Sequence, residues 1–389
     1  MGCRILALGA GAMGAKAAET LSGFSEVERL TLADLSREAA ERAARACVCP
    51  TRAERVDVTD RAGLAALMRG HDVIINCVGP FFRFGVPILE TAIEAGVDYL
   101  DICDDPAPTR DMLAMDEKAR LAGVTAVIGM GASPGVNNLL GACVHQRLDQ
   151  TDELLAAWNI EEKTGEGGVI AYSAAIVHWL EQCSGTVLEC RDGALVETAP
   201  LCDVPVDYPG RGKRTLYTVG HPEPVSFHVS WPRVKRTSCA MVMPSAWIGT
   251  FRKYQKIIDS GEKTLDQAAH DFATEISKAS WLDALLTSLS RLTDGPRLPF
   301  FFVIGKGTKD GRKKTVAASV RAIASDMAGA TGIPLALGTL MHLRNPGARK
   351  GVMAPETAFR PEPFFELLAP YCDTPAPVSA GDLVEIVED

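Results

Sequence analysis

Three groups of residues in this 389-residue chain have the types and spacing to do chemistry. The first is Gly9-Ala10-Gly11-Ala12-Met13-Gly14, a G-x-G-x-x-G turn. It lies between an apolar run at residues 3–8 (Cys-Arg-Ile-Leu-Ala-Leu) and a helical stretch over 15–21. Strand, glycine turn and helix in that order are the fingerprint of a dinucleotide-binding βαβ unit. Gly9 permits the tight turn, Gly11 lets a pyrophosphate approach bare backbone, and Gly14 lets the helix pack close to the strand. The helix start then offers unpaired N–H groups and a positive dipole end to phosphates. Asp34 closes the next apolar run, twenty residues beyond Gly14. An acid there binds the adenosine ribose hydroxyls and repels a 2′-phosphate, which favours NAD. Arg37, three residues on, binds that phosphate if Asp34 turns away, so NADP stays open.

The second group is acidic. Asp104 and Asp105 follow the fifth strand candidate, at its carboxyl end, where open α/β sheets bind ligands. Adjacent carboxylates push one pKa upward, towards the range useful for proton transfer. Capping of the next helix by Asp104-Asp105-Pro106 is the competing reading. Asp101 and Tyr99 stand close by, and strand alternation turns one of them into the core. The third group lies further on: His178, with Tyr172 on the same helical segment, and His221 in a Gly-His-Pro turn. A lone histidine is more often structural than catalytic. Arg83, Arg211, Lys213 and Arg214 are candidates to hold a carboxylate, against the ordinary expectation of solvated surface.

The elements that must position these groups alternate over the first 140 residues. Strands are expected near 3–8, 29–33, 55–58, 72–78, 98–102 and 125–129, with helices between them, the second capped by Ser36. That rhythm predicts an α/β fold, a Rossmann doubly wound parallel sheet. Further cofactor contacts are expected from Asp57 and Val58 at the end of the third strand, where a solvated loop acid is an equal reading of Asp57, and from Asn76, Gly79 and Pro80 at the end of the fourth strand and in the turn that follows it. Beyond about residue 150 strand candidates are separated by turn signals, Arg191-Asp192-Gly193 and Lys309-Asp310-Gly311. Asp-Gly turns favour hairpins, so the middle reads as an antiparallel or mixed α+β domain with a long helical segment over about 247–292. Small residues over 328–338 open a late helix and allow close packing against another element or a cofactor. Three regions follow: a dinucleotide-binding domain over 1–140, a central substrate domain over 141–324, and a segment over 325–389.

Composition narrows the function. The net charge is −9 with no long basic run, which argues against nucleic acid or an anionic membrane as partner. No run of 18 apolar residues predicts a transmembrane helix. Eleven cysteines without a C-x-x-C pair fit free thiols in a reducing cytoplasm. No His, Cys, Asp and Glu cluster has metal-ligand spacing, so no metal is expected. Absence of G-x-S-x-G and of a P-loop weakens hydrolase and kinase readings.

Several stretches together resemble the saccharopine dehydrogenase-like oxidoreductases, the group of saccharopine reductase, lysine 6-dehydrogenase and carboxynorspermidine dehydrogenase. They are the glycine fingerprint, Asn76-Cys77-Val78-Gly79-Pro80, the run Ala92-Ile93-Glu94-Ala95-Gly96-Val97-Asp98-Tyr99-Leu100-Asp101, the loop at 131–139 (Gly-Ala-Ser-Pro-Gly-Val-Asn-Asn-Leu) and the run at 351–356 (Gly-Val-Met-Ala-Pro-Glu). The resemblance is strongest over the first 140 residues and returns over about 325–370. It implies that the C-terminal segment returns to the Rossmann domain and that the protein is a homodimer through its central domain. It implies hydride transfer at a C–N bond of a small substrate with amino and carboxylate groups. Asp104, Asp105, His178 and Tyr172 are then the acid–base candidates. Two alternatives stay open: reduction of a C=O or C=C bond, and a non-catalytic dinucleotide sensor.

Overall fold

The structure is a computed structural model, and it describes residues 2–161, 174–277, 289, 293–324, 326–345, 349–373 and 379–389. The chain divides into two compact units, Met1–Cys143 with Arg321–Glu385, and Val144–Val320 with Ile386–Asp389.

The first unit holds a seven-stranded sheet: β1 (Cys3–Leu8), β2 (Val27–Asp34), β3 (Thr51–Arg55), β4 (Val73–Asn76), β5 (Asp98–Asp101), β6 (Thr125–Val127) and β15 (Gly351–Met353). Its order is β15-β6-β5-β4-β1-β2-β3, and every pair is parallel. A parallel sheet is covered on both faces, so its strands are apolar throughout. Ile5, Leu6, Leu8, Ile74 and Ile75 are accordingly fully buried. The strand order turns at β1, whose neighbours are β2 and β4. Ligands bind outside the carboxyl ends at such a switch point. The doubly wound sheet expected from the alternation is therefore present. Its third strand ends at Arg55, which leaves Asp57 in the following turn and out of the strand expected at 55–58.

β15 arrives from the far end of the chain and pairs with β6. Before it, the helix Met327–Arg344 starts at Asp326, whose side chain accepts from Gly329 N. A Cβ at Gly332 would sit 2.5 Å from Met13 O and 3.0 Å from Ala17 N. Of the two uses open to the small residues over 328–338, Gly332 thus serves close packing on the helix Ala12–Ser22.

The second unit holds a nine-stranded sheet: β7 (Gln150–Asn159), β8 (Val187–Arg191), β9 (Ala194–Thr198), β10 (Asp203–Tyr208), β11 (Gly212–Thr218), β12 (Arg236–Val242), β13 (Phe301–Lys309), β14 (Arg312–Val320) and β16 (Val384–Glu388). The main path is β10-β11-β12-β7-β13-β14-β16, with β8 on β12 and β9 on β8. Both Asp-Gly turns make hairpins. Asp192, Gly193, Asp310 and Gly311 all have positive φ, as two-residue turns between twisted strands require. The purely antiparallel reading fails at one place, because β12 and β7 are parallel and the sheet is mixed. Parallel neighbours need a long crossover, and residues 160–235 supply it; nothing local in the sequence marks that pairing.

The long helix expected over 247–292 is broken. Helices Ile248–Asp259 and Leu265–Ser277 are separated by a turn containing Gly261, whose φ is +72°. Residues 278–288 and 290–292 lie outside the described ones. Among the described residues no helix is long and apolar enough to cross a membrane.

Candidate functional site

The glycine turn follows β1 at the switch point. Gly9 has φ +87°, and a Cβ there would lie 2.8 Å from Cys77 O. A Cβ on Gly14 would come within 1.9 Å of Gly9 O, so the helix sits against the turn itself. Gly11 differs: a Cβ there meets nothing within 4 Å. It is the N-cap of the helix Ala12–Ser22, which has neither a side-chain cap nor an acid in its first turn. Bare backbone, free N–H groups and open space coincide there, which fits a dinucleotide pyrophosphate at Gly11, Ala12, Met13 and Gly14. Asp34 ends β2 beside this turn. Its Oδ2 accepts from Ala10 N at 2.7 Å and its Oδ1 from Ser36 N at 2.9 Å. Two backbone donors fix the carboxylate, and each oxygen keeps a lone pair for a ribose hydroxyl. Arg37 is engaged with Glu41 at 3.1 Å.

The loops after β4, β5 and β6 are joined by a buried relay. Asn76 ends β4 and accepts from Val78 N through Oδ1 at 3.0 Å. Its Nδ2 donates to the Tyr99 hydroxyl at 2.9 Å, which in turn donates to Asp101 Oδ2 at 2.8 Å. Asp101 Oδ1 accepts from Cys103 N at 3.0 Å and Gly129 N at 2.7 Å. Asn76, Tyr99 and Asp101 are all fully buried. Burial pushes the Asp101 carboxyl up to about 6, against the pull of its hydrogen bonds from Cys103, Gly129 and Tyr99. Burial likewise pushes the Cys77 thiol up to about 12, so beside the glycine turn it behaves as an apolar side chain. Gly79 lies in the loop after β4, and a Cβ there would also meet nothing within 4 Å. Asp57 lies elsewhere on the edge, exposed, its Oδ1 accepting from the Thr59 amide and hydroxyl. Those bonds hold its carboxyl below the usual range.

In the acidic turn, Asp105 occupies the N-cap position of the helix Pro106–Leu113 but makes no side-chain cap there. Its Oδ2 accepts instead from Phe82 N at 2.9 Å, in the first turn of the helix Phe81–Ala95. The capping role is real, with a helix other than the adjacent one as its object. Asp104 is partly buried beside it.

The second unit gathers a separate polar cluster. His178 and Gln182 are four apart on the helix Ala174–Gln182, hence on one face. Their Nε2 atoms are 2.6 Å apart. His178 Nδ1 is 3.9 Å from Glu181 Oε2. The His221 ring lies edge-on to His178, with centroids 6.3 Å apart, and tilted over Trp158 at 4.7 Å. His221 Nδ1 bonds to the Glu223 carboxylate, both fully buried, and Cys239 Sγ donates to Glu223 Oε2 at 3.9 Å. Burial and the Glu223 charge push the Cys239 thiol well above its ordinary range. These three donor atoms lie within 4.8 Å of one another. That cluster was invisible in the spacing, since Cys239 comes sixteen residues after Glu223. The His221–Glu223 bond already uses two of the three atoms a metal would have to bridge.

Of the remaining sequence candidates, Tyr172 lies outside the described residues. Arg214, expected at the surface, is buried; it pairs with Glu161 and donates to Pro296 O at 3.0 Å. Arg211 stands over the Tyr208 ring at 5.6 Å, and exposed Arg83 over Phe84 at 4.8 Å. Sequence reasoning missed Gln182, Glu223 and Cys239. The i,i+4 spacing from His178 was the signal for Gln182, and nothing local marked Cys239.

Residues 5–127 match the family described as the saccharopine dehydrogenase NADP binding domain. Carboxyaminopropylagmatine dehydrogenase of Synechocystis sp. is 25% identical over 388 residues, which cover 94% of this chain and 95% of that protein. The saccharopine dehydrogenase-like oxidoreductase of Mus musculus is 33% identical over 76 residues, 19% of this chain and 18% of that protein. Among solved structures, apo saccharopine dehydrogenase (L-Glu forming) from Saccharomyces cerevisiae aligns over 100% of both chains with a TM-score of 0.62 at 16% identity. That likeness is one of fold. The resemblance read from the motifs is borne out.

Two measurements test the site. Gly11→Val places its side chain in open space, so thermal stability should stay near wild type while dinucleotide affinity falls at least about tenfold, worth ~1.4 kcal/mol. Calorimetric titration reads the affinity, and unchanged binding would remove the turn from the cofactor site. Asp101 titrates near 6 in the fold against an ordinary value of 3.8. Its contribution to stability is therefore full below the unfolded value and is lost as pH rises through about 6. Urea denaturation of wild type and Asp101→Asn across this window should diverge, wild type losing up to about 3 kcal/mol relative to the variant. A pH-independent difference contradicts the buried-carboxylate assignment.

Proposed function

We propose that this chain, a saccharopine dehydrogenase-like oxidoreductase, transfers a hydride between NAD and the carbon of a C–N bond in an amino-acid-derived substrate. In one direction it reduces the imine formed from an aldehyde and an amine; in the other it oxidises the amine. The observation that carries the reading is the open cradle at Gly11 beside the anchored Asp34 carboxylate. The nicotinamide supplies the hydride acceptor when it is bound. Asp34 supports NAD over NADP: two backbone donors hold its carboxylate at the end of β2, where an acid disfavours a 2′-phosphate. The matching family's description names NADP, and this residue is the reason to prefer the other cofactor here.

Substrate class follows from the full-length relative named carboxyaminopropylagmatine dehydrogenase, whose name joins a carboxylate-bearing chain to an amine. Amine oxidation needs a group that takes the nitrogen proton, because a free lone pair assists hydride departure. His178 has this role, with its side chain 34% exposed and one ring nitrogen on Gln182. Asp104 stands second, Asp105 being engaged by Phe82 N; Tyr172 completes the candidate set from the sequence. Eleven free cysteines support a cytoplasmic setting, and a homodimer is the form that the family resemblance implies.

A panel of amino acids, polyamines and aldehyde–amine pairs, with NAD and NADP in parallel, tests the reading through the absorbance of the reduced nicotinamide. Turnover is expected on a carboxylate-bearing amine, with NAD bound at least about tenfold more tightly than NADP. Turnover confined to keto or enoyl substrates overturns the C–N assignment. A hundredfold preference for NADPH overturns the reading of Asp34.

A further inference from the structure

We propose that Asp105 is a positioning residue that sets the turn after β4 against the nicotinamide half of the bound cofactor. The inference rests on the reading of this edge as the dinucleotide site and deepens it. The order of the sheet gives the cofactor its direction. Asp34 ends β2, the open cradle at Gly11 follows β1, and β4 lies on the other side of β1. A dinucleotide with its adenosine ribose at Asp34 and its pyrophosphate at Gly11 therefore extends its nicotinamide half towards the turn after β4. That turn touches the glycine turn, since a Cβ on Gly9 would lie 2.8 Å from Cys77 O and 3.1 Å from Val78 N. Gly79 is open in the same way as Gly11, with nothing within 4 Å of an added Cβ.

Directly after Gly79 the helix Phe81–Ala95 begins at Pro80, which has no polar side chain to cap it, and its first turn holds no acid. The Pro80 carbonyl accepts from the amides of Arg83 and Phe84, each at 3.1 Å. The Phe82 amide stands where an N-cap side chain ordinarily bonds, and it donates to Asp105 Oδ2 at 2.9 Å. Asp105 thus supplies, from the loop after β5, the cap that Pro80 cannot. Its own backbone is anchored. The Asp105 carbonyl accepts from Thr109 N at 3.1 Å, at the start of the helix Pro106–Leu113, and from Cys103 Sγ at 3.7 Å. Cys103 N in turn donates to the buried Asp101 carboxylate at 3.0 Å. The two helices also pack together further along, where a Cβ on Gly85 would lie 3.7 Å from Met112 Cε. Without the Asp105 oxygen the Phe82 amide is left to solvent, and the start of the helix is released. The Gly79 backbone before it then samples several positions, and only the fraction that presents its open face binds the cofactor. This role needs an acceptor oxygen at position 105, and no proton transfer.

The test uses the full chain as wild type, Asp105→Ala and Asp105→Asn, with thermal unfolding to show that each is folded. Calorimetric titration reads the affinity for NAD and NADP, and for ADP, which carries the adenosine ribose and both phosphates but neither the second ribose nor the nicotinamide. Asp105→Ala should bind the preferred dinucleotide about fivefold more weakly or worse, the scale of a lost cap, and ADP as tightly as wild type does. Asp105→Asn keeps an acceptor oxygen, so it should return the dinucleotide affinity to near the wild-type value. Unchanged dinucleotide affinity in Asp105→Ala overturns the proposal. Equal losses for dinucleotide and ADP overturn it too, since they mark a general loosening of the fold. Asp105→Asn binding no better than Asp105→Ala overturns the assignment to a hydrogen-bond acceptor. Wild type that binds neither dinucleotide nor ADP overturns the cofactor reading and the proposal with it, whereas the other failures leave that reading standing.

Discussion

Asp101 ends β5 out of reach of solvent, and three donors meet its two oxygens: the Tyr99 hydroxyl and the amides of Cys103 and Gly129. Through Tyr99 and Asn76 the same carboxylate reaches the Val78 amide. One buried side chain thus fixes the first residues of the loops after β4, β5 and β6. An ion in such surroundings is costly unless its acceptors are filled, and unfilled donors around it cost as much. The loops cannot move separately without exposing that cost. The carboxyl edge of the sheet is therefore tied together by one buried acid, and a preorganised edge is what a functional site built there would need.

The second unit works differently. Its polar groups are arranged in a chain of contacts, with Gln182 on His178, His221 edge-on to His178, and Glu223 on both His221 and Cys239. A carboxylate bonded to a buried imidazole fixes one nitrogen of the His221 ring, while His178 is partly exposed.

The legible parts were those encoded within a few residues. Gly9, Gly11 and Gly14 need their positions for reasons local to one turn, and Asp310-Gly311 needs positive φ for a two-residue hairpin. The role of Asp101 is not legible in the sequence, because its network reaches Asn76 on one strand, through the Tyr99 hydroxyl, and Gly129 beyond another. The same holds for Asp105, whose capping target is on a different helix, and for Arg214, whose burial depends on Glu161. The parallel pairing of β7 with β12 was hidden by 76 intervening residues, 160–235, that carry no signal of where the chain returns. Short-range physics names the cofactor class; the proton chemistry depends on contacts made only after folding.

The central claim is hydride transfer to carbon bound to nitrogen, and isotope transfer tests it most directly. The chain is incubated with reduced nicotinamide cofactor carrying deuterium at the transferable position, together with an amino acid and an aldehyde. The account predicts a product heavier by one deuteron, with the label on the carbon newly attached to nitrogen. Label on an alcohol carbon, or on a carbon remote from nitrogen, would contradict it.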